Sequence, residues 1–258
     1  MAMSDEKNDI KKYWNERAKS DSSPQSTTQD VFLREIEQRV MENILEHSQA
    51  EMILDVGCGD GRTTLALARR FPNRQFIGFD YAPGMINNAV GNCTDRDSNV
   101  KFFTHDATMS IPAKPELVFS TRCLINLPTI SAQLKALESI RECLAIGGEY
   151  VMIENFIEGQ QALNRLRTSY DLPEIPVRFH NNFFSRDWLE AYCDGKWLLL
   201  NEFNISSTYY LVTRVVYSRM CKDNGIEPSY FDSINKYASK LPFLGEFGPV
   251  RLLHFRKQ

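Results

Sequence analysis

The chain has 258 residues, of which 43% are apolar and 24% are charged, and its formal net charge is −3. This composition is ordinary for a globular protein, and the slightly acidic balance gives no sign of the clustered basic face that binds nucleic acid. Because no apolar run approaches the roughly 20 residues that a membrane-spanning helix needs, no membrane partner is expected either.

Residues 1–48 are predicted to form a helical cover. Residues 1–12 are polar and charged, so we expect no secretory leader, and the polar stretch 20–29 predicts a loop. Asp30 is placed to cap the helix that follows it, because apolar residues then recur at helical spacing. These residues are Phe32, Leu33, Ile36, Val40 and Ile44.

Strands and helices then alternate along the chain. The first strand, Met52–Val56, is short and almost continuously apolar, as expected for a strand that is buried on both faces. It is followed by a helix over 62–70, a strand over 75–80, a helix over 83–90, strands over 100–106 and 116–121, a helix from 130 that Gly147-Gly148 stops, and a strand over 149–156. This alternation predicts an α/β fold with a Rossmann-like, mostly parallel sheet and helices on both faces.

The regular alternation of strands and helices ends after Phe156. We predict a helix over 159–172, a proline-containing loop, a short helix capped by Ser185, a strand over 196–203, a helix over 207–221 and a last strand over 250–257. The stretches 157–184 and 206–248 interrupt the alternation and are interpreted as insertions that cover one end of the sheet. No linker divides the chain, so residues 1–258 are predicted to form a single domain.

The turn after the first strand carries the strongest local signal. Gly57, Gly59 and Gly61 allow positive φ angles and a close approach of the backbone to a ligand. The spacing is G-x-G-x-G rather than the G-x-G-x-x-G of dinucleotide sites. Asp55 would also place a carboxylate beside a pyrophosphate, which the helix N-terminus should be stabilising. The same carboxylate suits a ligand that carries an ammonium and a sulfonium.

Two further acidic residues follow at the ends of the next strands. Asp80 is placed to accept hydrogen bonds from both hydroxyls of a ribose, and Asp106, beside Ala107, to accept one from the exocyclic amine of adenine. Taken singly, Asp80 also suits a helix cap and Asp106 an ordinary loop position. Because the glycine turn, Asp80 and Asp106 each follow one of three successive strands, together they predict a nucleoside site at the carboxyl ends of these strands.

These motifs resemble those of class I S-adenosylmethionine-dependent methyltransferases of the small-molecule type. The resemblance lies in residues 53–64, 76–86, 105–107 and 116–121, and in the Tyr13–Ala18 segment. It implies a seven-stranded sheet whose last strand is antiparallel, with S-adenosylmethionine as the cofactor. The cofactor-binding residues that it implies are Arg17, Asp55, Gly57, Gly59, Asp80, Tyr81, Met85, Asp106, Ala107 and Thr121.

The acceptor side has weaker signals. Arg122 and Asn126 follow the fourth strand, where acceptors approach in this family, and Tyr170 and Arg178 are further candidates in the first insertion. The Asn126-Leu127-Pro128 segment lacks the second proline and the aromatic residue of the nucleic-acid amino-methylating signature. No acidic cluster stands there for a divalent metal, so metal-independent transfer is expected.

The first insertion, 157–184, also offers an anion site and a base. Arg165, Arg167 and Arg178 would hold a phosphate or carboxylate if they converge, although a solvated helix face explains them equally well. His180 suits a general base, since methylation of an alcohol requires removal of a proton. A hydrogen bond within its own loop is the alternative.

We therefore predict an enzyme that moves a methyl group to an oxygen, or less favourably a nitrogen, of a small metabolite, with both insertions forming a lid over the acceptor. A nicotinamide-dependent oxidoreductase and a non-catalytic cofactor-binding protein of the same fold are the alternatives, with aminopropyl transfer more distant. The six cysteines are widely spaced and predicted to be reduced thiols in a cytoplasmic protein. A small-molecule partner and a monomer or homodimer are expected.

Overall fold

A single sheet organises the chain in the computed structural model, which describes residues 2–20, 23, 25 and 27–258, with side chains from Asp9 onward. Its strands are β1 (Met52–Val56), β2 (Gln75–Asp80), β3 (Val100–Thr104), β4 (Leu117–Thr121), β5 (Glu149–Asn155), β6 (Trp197–Phe203) and β7 (Val250–Lys257). The seven strands lie in the order β3-β2-β1-β4-β5-β7-β6. Strands β1 to β5 pair in parallel, whereas β7 is antiparallel to both β5 and β6. The predicted fold is confirmed.

Helices lie on both faces of this sheet. They are α1 (Ala2–Ser20), α2 (Val31–His47), α3 (Arg62–Arg70), α4 (Pro83–Gly91), α5 (Ile130–Cys143), α6 (Ile157–Ser169), α7 (Arg186–Cys193), α8 (Ser207–Tyr210), α9 (Tyr217–Asp223) and α10 (Ser233–Ala238). A 3₁₀ turn spans Leu124–Asn126, and a π-helical segment, Leu211–Val216, joins α8 to α9. No helix among the described residues has both the length and the apolar character that crossing a membrane requires.

The sheet is buried on both faces, which explains its continuously apolar strands. Val118 faces an apolar layer that includes Leu137 and Ile140 of α5, while the next residue, Phe119, faces the layer that contains Leu33 and Ile36 of α2. Because side chains alternate along a strand, both sides of β4 must be apolar to bury both layers. All six cysteines are free thiols, as predicted.

The bounds of several elements differ from the prediction, and the helix predicted over 207–221 is divided by the π-helical segment and ends at Asp223. The third strand ends at Thr104 rather than near Asp106, because the Asp106 carboxylate accepts hydrogen bonds from the Thr108 backbone and hydroxyl at 3.0 and 2.8 Å and turns the chain out of the sheet. Helix α6 begins two residues earlier and ends three residues earlier than predicted, at Ile157–Ser169.

The predicted cap of α7 is wrong. The Ser185 side chain makes no capping hydrogen bond, and the Glu158 carboxylate instead accepts from the Arg186 backbone N–H at 3.0 Å. A residue of α6 thus caps a helix 28 positions later in the chain, which no local pattern reveals.

Helix α1 packs against α4 and brings the N-terminal segment to the edge of the sheet. The Asn15 side chain accepts a hydrogen bond from the Gly84 backbone at 3.0 Å, and the Asn88 side chain donates to the Ala18 carbonyl at 3.0 Å. The loop predicted over 20–29 falls partly outside the described residues, and its first residue, Ser20, belongs to α1.

Candidate active site

A cavity of about 630 Å³ opens at the carboxyl ends of the parallel strands. Its walls come from the turns after β1 to β4, from α1 and α2, and from both stretches that were predicted to be insertions. Open α/β sheets place their ligands at this edge, and the volume lies within the usual range for small-molecule sites.

The glycine turn forms one wall of this cavity. Gly57, Gly59 and Gly61 have φ angles of 75°, 55° and 72°, in the left-handed region that favours glycine. The Gly57 and Cys58 backbone N–H groups donate to the Phe79 carbonyl at 2.8 and 2.9 Å, which fixes the turn to β2. A Cβ at Gly57 would lie 2.0 Å from the sulfur of Cys123, so this position requires glycine sterically as well.

Asp80 connects the end of β2 to the glycine turn. One carboxylate oxygen accepts from the Gly59 backbone at 3.0 Å and the other from the Ala82 backbone at 2.8 Å. Burial raises the pKa of this carboxyl group against the effect of the two hydrogen bonds. The side chain is therefore held at the cavity wall by the backbone on both sides.

Asp55 and Asp106 complete a set of three carboxylates in the same cavity wall. Asp55 is 3% exposed and accepts a hydrogen bond from the Thr64 hydroxyl at 2.6 Å. Burial raises its pKa to about 7, and the nearby Asp80 adds to the rise. Because gathering carboxylates in one buried wall is unfavourable, this arrangement favours a ligand that carries positive charge.

Apart from Glu37 and Arg122, which form an ion pair with each other, four cavity-lining side chains have a buried polar atom without a hydrogen-bond partner among the described residues. These atoms are His105 Nε2, Thr121 Oγ1, Asn155 Oδ1 and His180 Nδ1. Buried polar atoms are nearly always paired, so unpaired ones along a cavity indicate that a polar ligand completes them. Together with the three carboxylates, they favour a polar ligand that carries positive charge.

A second group of residues that line the cavity is rich in arginine. We call Arg34, Arg122 and Arg214, with Asp30, Glu37, Tyr210 and Tyr230, the arginine cluster; all seven line the cavity. Arg122, whose φ is 48°, forms an ion pair with Glu37 in which Nε and Oε1 are 2.7 Å apart. Burial raises the pKa of Glu37, and Arg122 opposes that rise.

The second ion pair of the arginine cluster joins Arg214 to Asp30. Asp30 also accepts a hydrogen bond from the Tyr209 hydroxyl at 2.6 Å and, as predicted, caps α2 through the Leu33 backbone at 3.0 Å. The Arg214 guanidinium lies 4.6 Å from the centroid of the Tyr230 ring. The cluster therefore holds Arg122 and Arg214 in ion pairs with Glu37 and Asp30, and the charge of Asp60, which also lines the cavity, acts on Arg34.

Most residues predicted from the sequence line this cavity. They are Arg17, Asp55, Gly57, Gly59, Asp80, Tyr81, Met85, Asp106, Ala107, Thr121, Arg122, Asn126, Arg178 and His180. Their individual roles remain predictions. Arg17 donates to the Gln25 carbonyl at 2.8 Å, and the Lys11 ammonium lies 4.4 Å from the ring centroid of Tyr81.

Tyr170 and two arginines of α6 do not line the cavity, which leaves the solvated alternative for Arg165. Tyr170 follows the end of α6 on its solvent side, is 46% exposed and does not line the cavity. Arg165 is exposed, and Arg167 donates to the carbonyls of Pro173 and Arg214, so the three arginines of this stretch do not converge. Residues two apart on a helix face different directions, and only Arg178 reaches the cavity.

His180 lies where α1 meets the 171–184 loop. Its ring stacks on Tyr13 with centroids 4.6 Å apart and meets Trp14 edge-on at 5.8 Å. Burial, and then the neighbouring Arg178, lower the pKa of the imidazole, so it is uncharged at neutral pH. Its Nδ1 atom is among the unpaired cavity atoms described above.

Sequence reasoning missed most of the arginine cluster. One signal was present: Glu37 interrupts the buried face of α2, which otherwise consists of Leu33, Ile36, Met41 and Leu45. An acidic residue on an apolar helix face requires a partner, and here that partner is Arg122.

Comparison with known proteins agrees with this site. Residues 53–148 match the family described as "Methyltransferase domain". Residues 53–148 thus correspond to a methyltransferase domain, and the sheet that contains them has the fold of class I methyltransferases. The glycine turn, β2 with Asp80 and the Asp106 segment all fall within the matched residues, so the methyltransferase motifs seen in the sequence are confirmed.

Two curated methyltransferases match parts of the chain. Malonyl-[acyl-carrier protein] O-methyltransferase of Xylella fastidiosa is 30% identical over 138 residues, which cover 51% of this chain and 45% of that protein. Trans-aconitate 2-methyltransferase of Methylobacterium radiotolerans is 32% identical over 117 residues, covering 44% of this chain and 42% of that protein. The chain thus matches less than half the length of these two relatives.

A solved structure supports the fold over the whole length. The N-methyltransferase NodS from Bradyrhizobium japonicum, in complex with S-adenosyl-L-homocysteine, aligns over 98% of both chains with a TM-score of 0.57 and 14% sequence identity. Identity this low speaks for the methyltransferase fold and not for a shared acceptor. The nicotinamide alternative is not favoured, since the matching proteins are methyltransferases and Asp55 opposes a pyrophosphate.

Proposed function

We propose that the chain transfers the methyl group of S-adenosylmethionine to a carboxylate oxygen of a small organic acid, without a metal ion. The observation that carries this proposal is the arginine cluster, which lines the same cavity as Asp55, Asp80 and Asp106. We call the part of the cavity lining that contains these three carboxylates and the glycine turn the cofactor wall. Carboxylates favour a cationic cofactor, and the guanidinium groups of the arginine cluster suit a planar anionic group such as an acceptor carboxylate. Two relatives are named for acidic acceptors, malonyl-[acyl-carrier protein] and trans-aconitate.

The cofactor wall has a role for each predicted residue. Asp80 accepts from the ribose hydroxyls, Asp106 and Ala107 contact the adenine edge, and Tyr81 and Met85 flank the adenine ring. Arg17, Asp55, Gly57, Gly59 and Thr121 contact the methionine part. When bound, the cofactor supplies an electrophilic methyl group on a positively charged sulfur.

We call the arginine cluster, together with Asn126 and Arg178, the acceptor wall, and this wall orients the nucleophile. Arg122 binds the acceptor carboxylate, Glu37 fixes the orientation of Arg122, and Asn126 and Arg178 contact the rest of the acceptor. The stretches 157–184 and 206–248 form the lid, because they contribute His180, Arg214 and Tyr230 to the cavity wall. Alignment of the nucleophile in a site closed from water is the main contribution of the protein to the rate.

A carboxylate acceptor removes the need for a base. Carboxyl groups have pKa values of about 4, so the acceptor is already ionised at neutral pH. His180, uncharged and stacked on Tyr13, then serves to orient the acceptor. The base role predicted for His180 belongs to a hydroxyl acceptor, which is the second candidate.

The test is calorimetry followed by an acceptor panel. We expect the purified chain to bind S-adenosylhomocysteine. We also expect it to convert S-adenosylmethionine to S-adenosylhomocysteine when small di- or tricarboxylic acids are present. The rate should be unchanged by EDTA, since no three His, Cys, Asp or Glu residues form a metal-binding group in the described part of the chain. Turnover of alcohols or amines with none of acids would contradict the carboxylate acceptor, and failure to bind S-adenosylhomocysteine would contradict the whole proposal.

A further inference from the structure

The acceptor wall includes a short turn whose shape depends on a residue outside the cavity. The chain leaves β4 at Thr121, passes through Arg122 in the left-handed region of φ, and forms the 3₁₀ turn Leu124–Asn126. Arg122 and Asn126 line the cavity. We call residues 122–126 the acceptor turn.

Glu154, on the neighbouring strand β5, holds the acceptor turn from inside the fold. Its side chain is fully buried and does not line the cavity. One oxygen accepts from the backbone N–H groups of Cys123 and Leu124 at 3.1 and 2.9 Å, and the other accepts from that of Ile125 at 3.3 Å. The Ser120 hydroxyl donates to the same carboxylate at 3.0 Å.

These hydrogen bonds satisfy groups that have no other partner available. The first N–H groups of a helical turn have no acceptor within the turn and are satisfied by side chains, water or ligands. A carboxylate is the side chain that accepts all of them, because it has two oxygens and no donor. The four donors around Glu154 also favour its ionised form, although burial raises its pKa to about 7.

The acceptor turn is hydrogen-bonded to two of the elements that cover the cavity. The Asn126 side chain accepts from the Trp14 indole of α1 at 3.3 Å, and the Ile125 carbonyl accepts from the Asn182 backbone at 2.6 Å. A displacement of the turn would therefore move Arg122, the N-terminal cover and the 171–184 loop together.

We propose that Glu154 is a positioning residue for the acceptor: it fixes residues 122–126 so that Arg122 and Asn126 face the substrate. This inference rests on the proposed function, since it requires that the acceptor binds against this turn. Glu154 does not line the cavity and acts on the acceptor through the turn, so its loss should weaken acceptor binding more than cofactor binding.

The test compares Glu154→Gln with Glu149→Gln. The Glu154→Gln side chain would keep one acceptor but place an NH₂ group against backbone donors, whereas Glu149 lies at the other end of β5 and pairs with His254 and Arg256. In the complex with S-adenosylhomocysteine, Glu154→Gln should speed hydrogen exchange of the amides at 123–125 roughly tenfold and change the Kd of that ligand less than about threefold. Glu149→Gln should change neither quantity.

Kinetics then test the link to the acceptor. With the panel acid that gives the highest wild-type rate, Glu154→Gln should raise KM roughly tenfold and lower kcat less. Glu154→Asp, which keeps the charge on a shorter side chain, should fall between the wild type and Glu154→Gln, and it replaces Glu154→Gln if that variant does not fold.

Two outcomes would overturn the inference. One is unchanged exchange at 123–125. The other is a parallel loss of acceptor and cofactor affinity with faster exchange throughout β1, which would mean that Glu154 supports only the fold. The exchange measurement needs no acceptor, so a failed acid panel would contradict the proposed function without deciding the role of Glu154 in the turn.

Discussion

At the scale of single residues, Asp80 holds the glycine turn and faces the cavity at the same time. Its two hydrogen bonds, from Gly59 and Ala82, leave further lone pairs of the carboxylate for ribose hydroxyls. Removal of the side chain therefore affects the ligand directly and also loosens the turn that carries Gly59.

We expect Asp80→Ala to weaken binding of S-adenosylhomocysteine at least tenfold, because hydrogen bonds to charged groups contribute about 1.5–3 kcal/mol each. Calorimetry measures the change. Asp97→Ala is the matched control: Asp97 is a buried carboxylate paired with Arg69 at 2.7 Å and does not line the cavity. The control should lower Tm and leave the Kd unchanged; an unaltered Kd in Asp80→Ala would refute the ribose assignment.

At the scale of elements, the docking of α1 on α4 builds one side of the site. Gly84 allows the close approach: a Cβ there would lie 3.1 Å from both the Ala18 Cβ and the Asn15 Oδ1 atom. Helix α1 contributes Tyr13, Trp14 and Arg17 to the cavity wall, so its position bears on ligand binding.

Gly84→Val should displace α1 and weaken binding of S-adenosylhomocysteine roughly tenfold, since overpacking of this kind costs about 1–3 kcal/mol. Hydrogen exchange within residues 9–20 should also become faster. Gly91→Val is the control, because it introduces the same residue into α4 where no atom lies within 4 Å of the added Cβ. Equal effects of the two variants would show that helix propensity, rather than the docking of α1, accounts for the loss.

The sequence predicts an element well where a periodic apolar pattern forms it and turn residues bound it. Helix α3 (Arg62–Arg70) matches its predicted bounds because the glycine turn precedes it. Strand β2 (Gln75–Asp80) matches because a polar turn precedes it. Tertiary contacts determine the exceptions. Strand β3 ends early because of the Asp106 side chain, and α7 is capped by Glu158 from another helix.

At the scale of the whole molecule, the two walls of the site differ in how far the sequence predicts them. Asp55, the glycine turn, Asp80 and Asp106 lie at the ends of consecutive strands, so the parallel topology alone brings them together. The arginine cluster joins distant segments: Arg122 and Glu37 are 85 positions apart, and Arg214 and Asp30 are 184. No local pattern encodes such pairs, so the arginine cluster, which supports the proposed anionic acceptor, emerges only from the folded chain.

Buried carboxyl groups make the free energy of unfolding depend on pH. Burial raises the pKa values of Asp55 and Glu154 to about 7, whereas carboxyl groups in the unfolded chain titrate near 4. Between these values the folded state retains protons that the unfolded state has released. The free energy of unfolding therefore falls as pH rises from about 4.5 to 7 and is level above that range, for each group considered alone. His180 acts in the opposite direction below about pH 6.5, because its pKa in the folded state is lowered from the unfolded value.

The difference between the wild type and Asp55→Asn isolates Asp55 from these other groups. The amide oxygen of the Asp55→Asn side chain still accepts the hydrogen bond from Thr64, but the amide does not titrate. Urea denaturation at pH 5, 6, 7 and 8 should show the wild type losing stability relative to Asp55→Asn up to pH 7, by at most about 1.4 kcal/mol per pH unit. Saturating S-adenosylmethionine, whose positive charge favours ionised Asp55, should reduce this relative loss. A wild type that gains stability over Asp55→Asn between pH 5 and 7 would mean that Asp55 is ionised throughout the range.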